Sequence, residues 1–261
     1  MREFIVGIHT AREAHRADDF NPSYPAITTI TIEMKLNRLV DLSEFEKFMK
    51  YPSTVVTSLG KVRTWAPKDT TKNTFRNQFT ITSNDSRRVR SALVFKNGNI
   101  KVTGVEDEHD GQDVAFQFEQ IFSRFFDVSR INMEDLHYSL INAKVRLNRT
   151  IAFDKLADYI DHTIRGRPDF HAARCNFNRS PARNFVLTVS GKRVTFCCYS
   201  TGTIMIQGAS TIKNLVESYD ILLDMFENNR HILGGPSEKV EKMDMFRGYQ
   251  IDKLFSVLSL K

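Results

Sequence analysis

Apolar and polar residues alternate over Ile27–Leu36 and again over Leu140–Leu147, the period of a strand with one buried face. Each stretch runs into a short helical pattern. In the first, Ser43 and Glu46 have capping-box spacing, and Phe45, Phe48 and Met49 form one apolar face. In the second, Asp154 is placed to cap, and Leu156, Tyr159, Ile160 and Thr163 continue the pattern. Strands broken by turn chemistry follow. Phe79–Ser83 alternates, Asn84-Asp85-Ser86 turns, and Arg90–Phe95 returns; likewise Phe185–Val189, Ser190-Gly191 and Val194–Tyr199. A further hairpin turns at Asn97-Gly98. Each series closes on a longer helix with one apolar stripe: Val114, Phe118, Ile121, Phe122 and Phe125, then Leu215, Tyr219, Leu222, Leu223 and Phe226.

The two series are copies. MKLNRLVDLSEF (Met34–Phe45) aligns with VRLNRTIAFDKL (Val145–Leu156), and KNGNIKVTG (Lys96–Gly104) with STGTIMIQG (Ser200–Gly208). Two words in the same order at nearly the same offset indicate a duplication of about 100 residues. The expected fold is α+β: two copies sharing one continuous antiparallel sheet, helices on one face and the other face open. Copy one spans 26–127 and copy two 128–228, flanked by extensions at 1–25 and 229–261. The second extension contains Gly234-Gly235-Pro236, which reads as a linker, and Phe246–Leu260, which reads as a terminal helix.

Composition narrows the function. The 261 residues carry a net charge of +6 and a pI near 9.2, which suits an anionic partner, with nucleic acid the first candidate. The chain holds 20 Phe against one Trp; most must be core, but that many leaves some available for a surface. No apolar run approaches the roughly 20 residues of a membrane span, and the N-terminus lacks the apolar core of a signal peptide. Cys175, Cys197 and Cys198 form neither a disulfide framework nor a zinc motif, which points to a reducing compartment. His162 and His171 likewise lack zinc spacing. The run Glu106–Asp110 reads as acids favoured at a helix N-terminus. Asn148-Arg149-Thr150 matches a glycosylation sequon without the context for one. No phosphate loop appears, and neither a catalytic set nor a cofactor is expected.

Strand alternation sorts the side chains. Ile100 and Val102 face the helices, leaving Asn99, Lys101 and Thr103 on the open side; Leu93 and Phe95 fall opposite Ala92 and Val94. Cations cluster at the nearby turns: Arg87, Arg88 and Arg90 in copy one, Lys192 and Arg193 in copy two. An apolar strip edged with cations suits a DNA minor groove. It equally suits a sheet covered by a partner protein or by the flanking segments.

Ala92-Leu93-Val94-Phe95 before Asn97-Gly98, and Val102-Thr103-Gly104 after it, resemble the signature hairpin of the TATA-box-binding protein (TBP) family. The copy order, Val40-Asp41-Leu42 and the acids Glu106–Asp110 extend the resemblance over about residues 26–228. It implies a saddle of ten strands, five per copy, with four helices on its convex face and a concave underside that sits in the minor groove. It also implies a pair of intercalating Phe residues at each end. Phe95 matches the second of one pair and Phe75 the first, with Phe79 as rival. In copy two Tyr199 stands where Phe95 does; Phe75's counterpart falls at Pro181 or Ala182, with Phe177 near. The family's central Asn pair is not matched: Thr29 stands there in copy one, and Leu140, or Asn142 if the register shifts, in copy two. The groove floor would be Thr29, Thr31, Leu93, Lys101, Thr103, Asn142, Met205 and Gln207. Arg87, Arg88, Arg90, Lys192 and Arg193 would hold phosphates. The loop Asn176–Arg183 is basic where the family carries an acidic patch for its usual partner. Such divergence looks like a TBP-like protein of a large DNA virus. The resemblance implies a monomer acting in the nucleus or a viral factory, with AT-rich promoter DNA and transcription initiation factors or RNA polymerase as partners. An interaction module that has lost sequence-specific DNA binding is the alternative; a nuclease or glycosylase ranks last, because no catalytic domain accompanies the copies.

Overall fold

A computed structural model describes residues 2–17, 19–57, 60–68, 77–84, 89–174, 181–237, 245–246 and 249–250. In chain order its elements are α1 (Arg2–His15), β1 (Ala26–Leu36), α2 (Leu42–Phe48), β2 (Ser53–Val56), β3 (Val62–Pro67), β4 (Gln78–Asn84), β5 (Val89–Phe95), β6 (Asn99–Val105) and α3 (Glu108–Phe125). Then come β7 (Met133–Arg146), β8 (Arg149–Ile151), α4 (Phe153–His162), β9 (Phe170–Arg174), β10 (Ala182–Val189), β11 (Lys192–Tyr199), β12 (Thr203–Ala209), α5 (Ile212–Asn228) and β13 (Leu233–Pro236). The chain divides into two compact units: residues 29–139, here the central unit, and residues 1–28 with 140–261, the terminal unit.

In the central unit six antiparallel strands run in the order β2-β3-β4-β5-β6-β1. Alternation sends Ile32, Met34, Ile81, Ala92, Val94, Ile100 and Val102 to one face, where each is buried. The α3 stripe closes that face: Val114, Phe118, Ile121 and Phe122 have no exposed surface. Much of the phenylalanine lies here. Phe45 of α2 stacks on Phe122 at 5.0 Å and meets the edges of Phe79 and Phe125 at 5.7 and 5.2 Å. Trp65 packs against Phe118 at 5.0 Å, and its indole N–H donates to Gln117 Oε1 at 2.9 Å.

The terminal unit repeats the plan with five strands in the order β7-β12-β11-β10-β9. Phe185 and Phe196 stack at 4.9 Å, and the α5 stripe of Leu215, Tyr219, Leu222, Leu223 and Phe226 is buried. The duplication is visible in the backbone. Gly98 and Gly202 take φ of +82° and +79° at matching turns, and Gly104 and Gly208 take +96° and +95°. At Gly98 a Cβ would strike the carbonyl oxygens of Leu36 and Arg38; at Gly202 it would strike that of Arg149.

Several details depart from expectation. Copy one has six strands rather than five: Val62–Pro67, which carries Trp65, pairs with β4 as β9 pairs with β10, and Ser53–Val56 is an extra strand beyond it. A fifth helix, α1, packs along α5; His15 at its end hydrogen-bonds Glu227 at 2.7 Å and Asp220 at 3.1 Å. The α2 cap is Asp41, whose carboxylate accepts from the amides of Ser43 and Glu44, so Ser43 lies inside the helix. At α4 the N-cap is Ala152, with Asp154 in the first turn, where the dipole favours an acid. Gly234-Gly235-Pro236 belongs to β13, paired with β8, rather than to a free linker. Met245–Phe246 and Tyr249–Gln250 form a small antiparallel pair where the terminal helix was expected to begin, and the rest of that helix lies outside the described residues.

Candidate nucleic-acid interface

The sheet face turned away from the helices is built by cross-strand register. In the central unit one row reads Thr82–Ser91–Thr103–Thr31 and the next Thr80–Leu93–Lys101–Glu33. Phe95 follows, opposite Gln78, half-buried at the end of β5 just before the turn. Beside it lies a hollow of about 370 Å³, lined among others by Glu33, Lys35, Phe95, Lys101, Asp135 and His137. Lys101 Nζ donates to Glu33 Oε1 at 2.9 Å. That hydrogen bond outweighs the effect of burial and holds the Glu33 carboxyl below its ordinary value.

The terminal unit presents the matching face with different chemistry. Its rows read Arg146–Thr203, then Lys144–Met205–Cys197–Asn184–Arg174, then Gln207–Thr195–Val186–Ala172. Tyr199 is half-buried at the end of β11, opposite Ala182. Burial lowers the Lys144 ammonium below the ordinary lysine value, and Arg146 adds to the effect. Neither Lys144 nor Arg174 forms an ion pair among the described residues. Asn184 Oδ1 is buried and has no hydrogen-bond partner among the described residues, an acceptor left open in the middle of its row.

The expected contact residues therefore divide. Phe95, Leu93, Lys101 and Thr103 share the open face of the central unit, and Thr29 lies along the same side of β1. Thr31 occupies that face but is 1% exposed, with its hydroxyl 3.2 Å from that of Thr103, so it is spent within the sheet. In the terminal unit Met205 and Gln207 share the face with Tyr199. Gln207 Oε1 accepts from the Cys197 thiol at 3.3 Å, and Asn142 Oδ1 accepts from the Gly208 amide at 3.2 Å. Lys192 and Arg193 are exposed at the start of β11.

Two expectations are corrected. Arg90 is 2% exposed and forks onto Asp110 at 2.9–3.1 Å, with Glu106 at 3.8 Å, so its guanidinium fastens α3 to the sheet and is not offered to phosphate. Phe79, the rival intercalator, pairs with Val94 on the helix side and packs on Phe45. Its counterpart in copy two is Arg183, whose guanidinium lies 4.5 Å over the Phe153 ring. Phe75, Phe177, Arg87 and Arg88 lie outside the described residues.

The sequence reading missed Glu33 and Lys35 in copy one, and Lys144, Arg146, Arg174 and Asn184 in copy two. The signal was present: Ile141, Ala143 and Val145 are the buried partners of an alternation that turns Asn142, Lys144 and Arg146 outward.

No protein-family model matches the chain. Over 230 residues it is 25% identical to a "TATA-box-binding protein-like" protein of Acanthamoeba polyphaga mimivirus, a match covering 74% of this chain and 62% of the relative. The resemblance to TATA-box-binding proteins is borne out. The relative that carries it is viral, as the divergence of the copies led us to expect. This chain spans 62% of that relative's length. Among solved structures, Methanococcus jannaschii TBP aligns at a TM-score of 0.49 with 12% identity, covering 78% of this chain and 98% of its own.

Proposed function

We propose that the chain is a DNA-binding transcription initiation factor that docks its open sheet faces in the minor groove and bends the duplex. The observation that carries this reading is the face itself. An aromatic side chain ends the corresponding strand in each copy, Phe95 and Tyr199, behind rows that hold Leu93 and Lys101 in one copy and Lys144, Met205 and Arg174 in the other. An apolar wedge that unstacks a base step, next to cations that hold phosphates, is the chemistry of minor-groove kinking. The viral relative's name points the same way. In this reading the protein is a binding protein and not an enzyme, needs no cofactor, and works as a monomer in the nucleus or a viral factory on AT-rich promoters with initiation factors or RNA polymerase. Donor–acceptor energy transfer across end-labelled TA-rich and GC-rich duplexes tests it. A bend that fades steeply with salt is the expected result; no bend and no mobility shift on either duplex at low salt would sink the reading.

One observation favours an interaction module instead. The Lys101 charge is matched by Glu33, and Arg90 is consumed internally, so copy one presents less free positive charge than its sequence suggests. Retention of polymerase or initiation factors, with no DNA shift, would favour that reading.

A further inference from the structure

We propose that the Glu33–Lys101 pair reads guanine in the minor groove, so that the site is not purely A·T. The inference rests on the minor-groove reading above and deepens it. A·T and T·A pairs offer only acceptors on the minor-groove floor; the 2-amino group of guanine is the one donor there. A groove-facing sheet that wanted only A·T needs donors and apolar surface, and a carboxylate would be repelled by adenine N3 and thymine O2. Yet Glu33 stands in the row with Thr80, Leu93 and Lys101, on the same side as Phe95, and its side chain is 41% exposed.

Lys101 makes the acid tolerable. Its ammonium is 2.9 Å from Glu33 Oε1 and 40% exposed, so the pair enters the groove close to neutral. A carboxylate has about four lone-pair directions. Lys101 takes one, which leaves acceptor capacity for a base amine. Lys101 in turn has hydrogens free for the O2 of the paired cytosine or for N3. The corresponding row of copy two has no such acid: Lys144 stands opposite Met205 there. Guanine recognition is therefore assigned to the Thr80–Leu93–Lys101–Glu33 row alone.

The test alters only the minor-groove amine. A set of AT-rich duplexes carries one G·C pair at each position in turn. Parallel sets replace guanine by inosine, which lacks the 2-amino group, or replace one adenine by 2,6-diaminopurine, which adds it to an A·T pair. At one position the protein is expected to bind the guanine and diaminopurine duplexes about tenfold or more tighter than their inosine and adenine counterparts, the scale of a hydrogen bond to a charged group. Glu33→Ala should bring both ratios to about one while Trp65 fluorescence, a reporter of the fold, stays unchanged. Binding to every duplex with no guanine-over-inosine preference at any position would overturn this inference and leave minor-groove binding standing. A preference that persists in Glu33→Ala would overturn it as well. Failure to bind any duplex would remove both readings together.

Discussion

Arg90→Met separates the two roles that Arg90 could play. If Arg90 held a phosphate, its loss would leave stability nearly untouched and reduce the slope of log K against log salt by about 0.9. The structure assigns it to the interior. The side chain is 2% exposed, both Asp110 oxygens lie at 2.9–3.1 Å, and Asp110 also accepts the Glu106 amide and approaches Arg63 at 3.6 Å. Removing one partner of a buried pair strands the other charge, at a typical cost of about 3–5 kcal/mol. Arg63 lies close enough to Asp110 to soften that, so the lower end is expected. With a urea slope of about 3 kcal/mol per molar, the midpoint should fall by about 1 M. Urea titrations followed by fluorescence of Trp65, the chain's single tryptophan, report on the central unit where the change is made. The salt slope of DNA binding, measured where the variant remains folded, should not move. Arg90→Met with Asp110→Leu should recover part of the loss, because a buried pair replaced by apolar groups no longer leaves a charge alone. An unchanged midpoint with a reduced salt slope would refute the internal assignment.

Phe95→Ala should remove more of the bend than Tyr199→Ala, because the tyrosine hydroxyl requires a hydrogen-bond partner when its ring is driven between bases; energy transfer on the two variants gives the order, and the reverse order would defeat the asymmetry. Gly98→Ala should destabilise the central unit by roughly 1–3 kcal/mol, since a side chain at φ +82° is strained and its Cβ meets the Leu36 and Arg38 carbonyls; an unchanged urea midpoint would contradict this. For His15, burial pulls the pKa down, but the hydrogen bonds to Glu227 and Asp220 together outweigh it and leave the pKa raised above 6.5. The stabilisation it gives is then complete below pH 6.5 and disappears as pH rises through the folded-state pKa. Hydrogen exchange in α1 should accordingly quicken on going from pH 6 to pH 8.5 beyond the intrinsic increase, and His15→Leu should abolish the excess.

Much of the architecture was legible because it is written in short-range periodicity and in self-similarity. The alternating runs, the helix stripes and the paired glycines each need only a few neighbouring residues to declare themselves, and two aligned words suffice to reveal the duplication. The hairpin Ser53–Pro67 escaped because its strands are short and one opens on Ser53-Thr54, which gives little apolar contrast. The α2 cap was placed two residues late because Asp41 and Ser43 are both competent caps, and only backbone geometry distinguishes them.

The sequence by itself sorted most side chains to one face or the other of their strands through a period of two residues, although Phe79, offered as a rival intercalator, lies on the helix side. It could not determine what those side chains do once there. Arg90 and Lys144 are both cations on strands, yet one is locked onto Asp110 across the start of α3 and the other has no ion-pair partner among the described residues. Lys101 meets Glu33 across 68 positions of chain, through the register of β1 with β6. A partner that distant is chosen by strand pairing, bulges and helix placement, which are set by the packing of the whole unit. Charge could be counted along the chain; whether it is spent inside the fold or held out to a ligand was decided only by the tertiary structure.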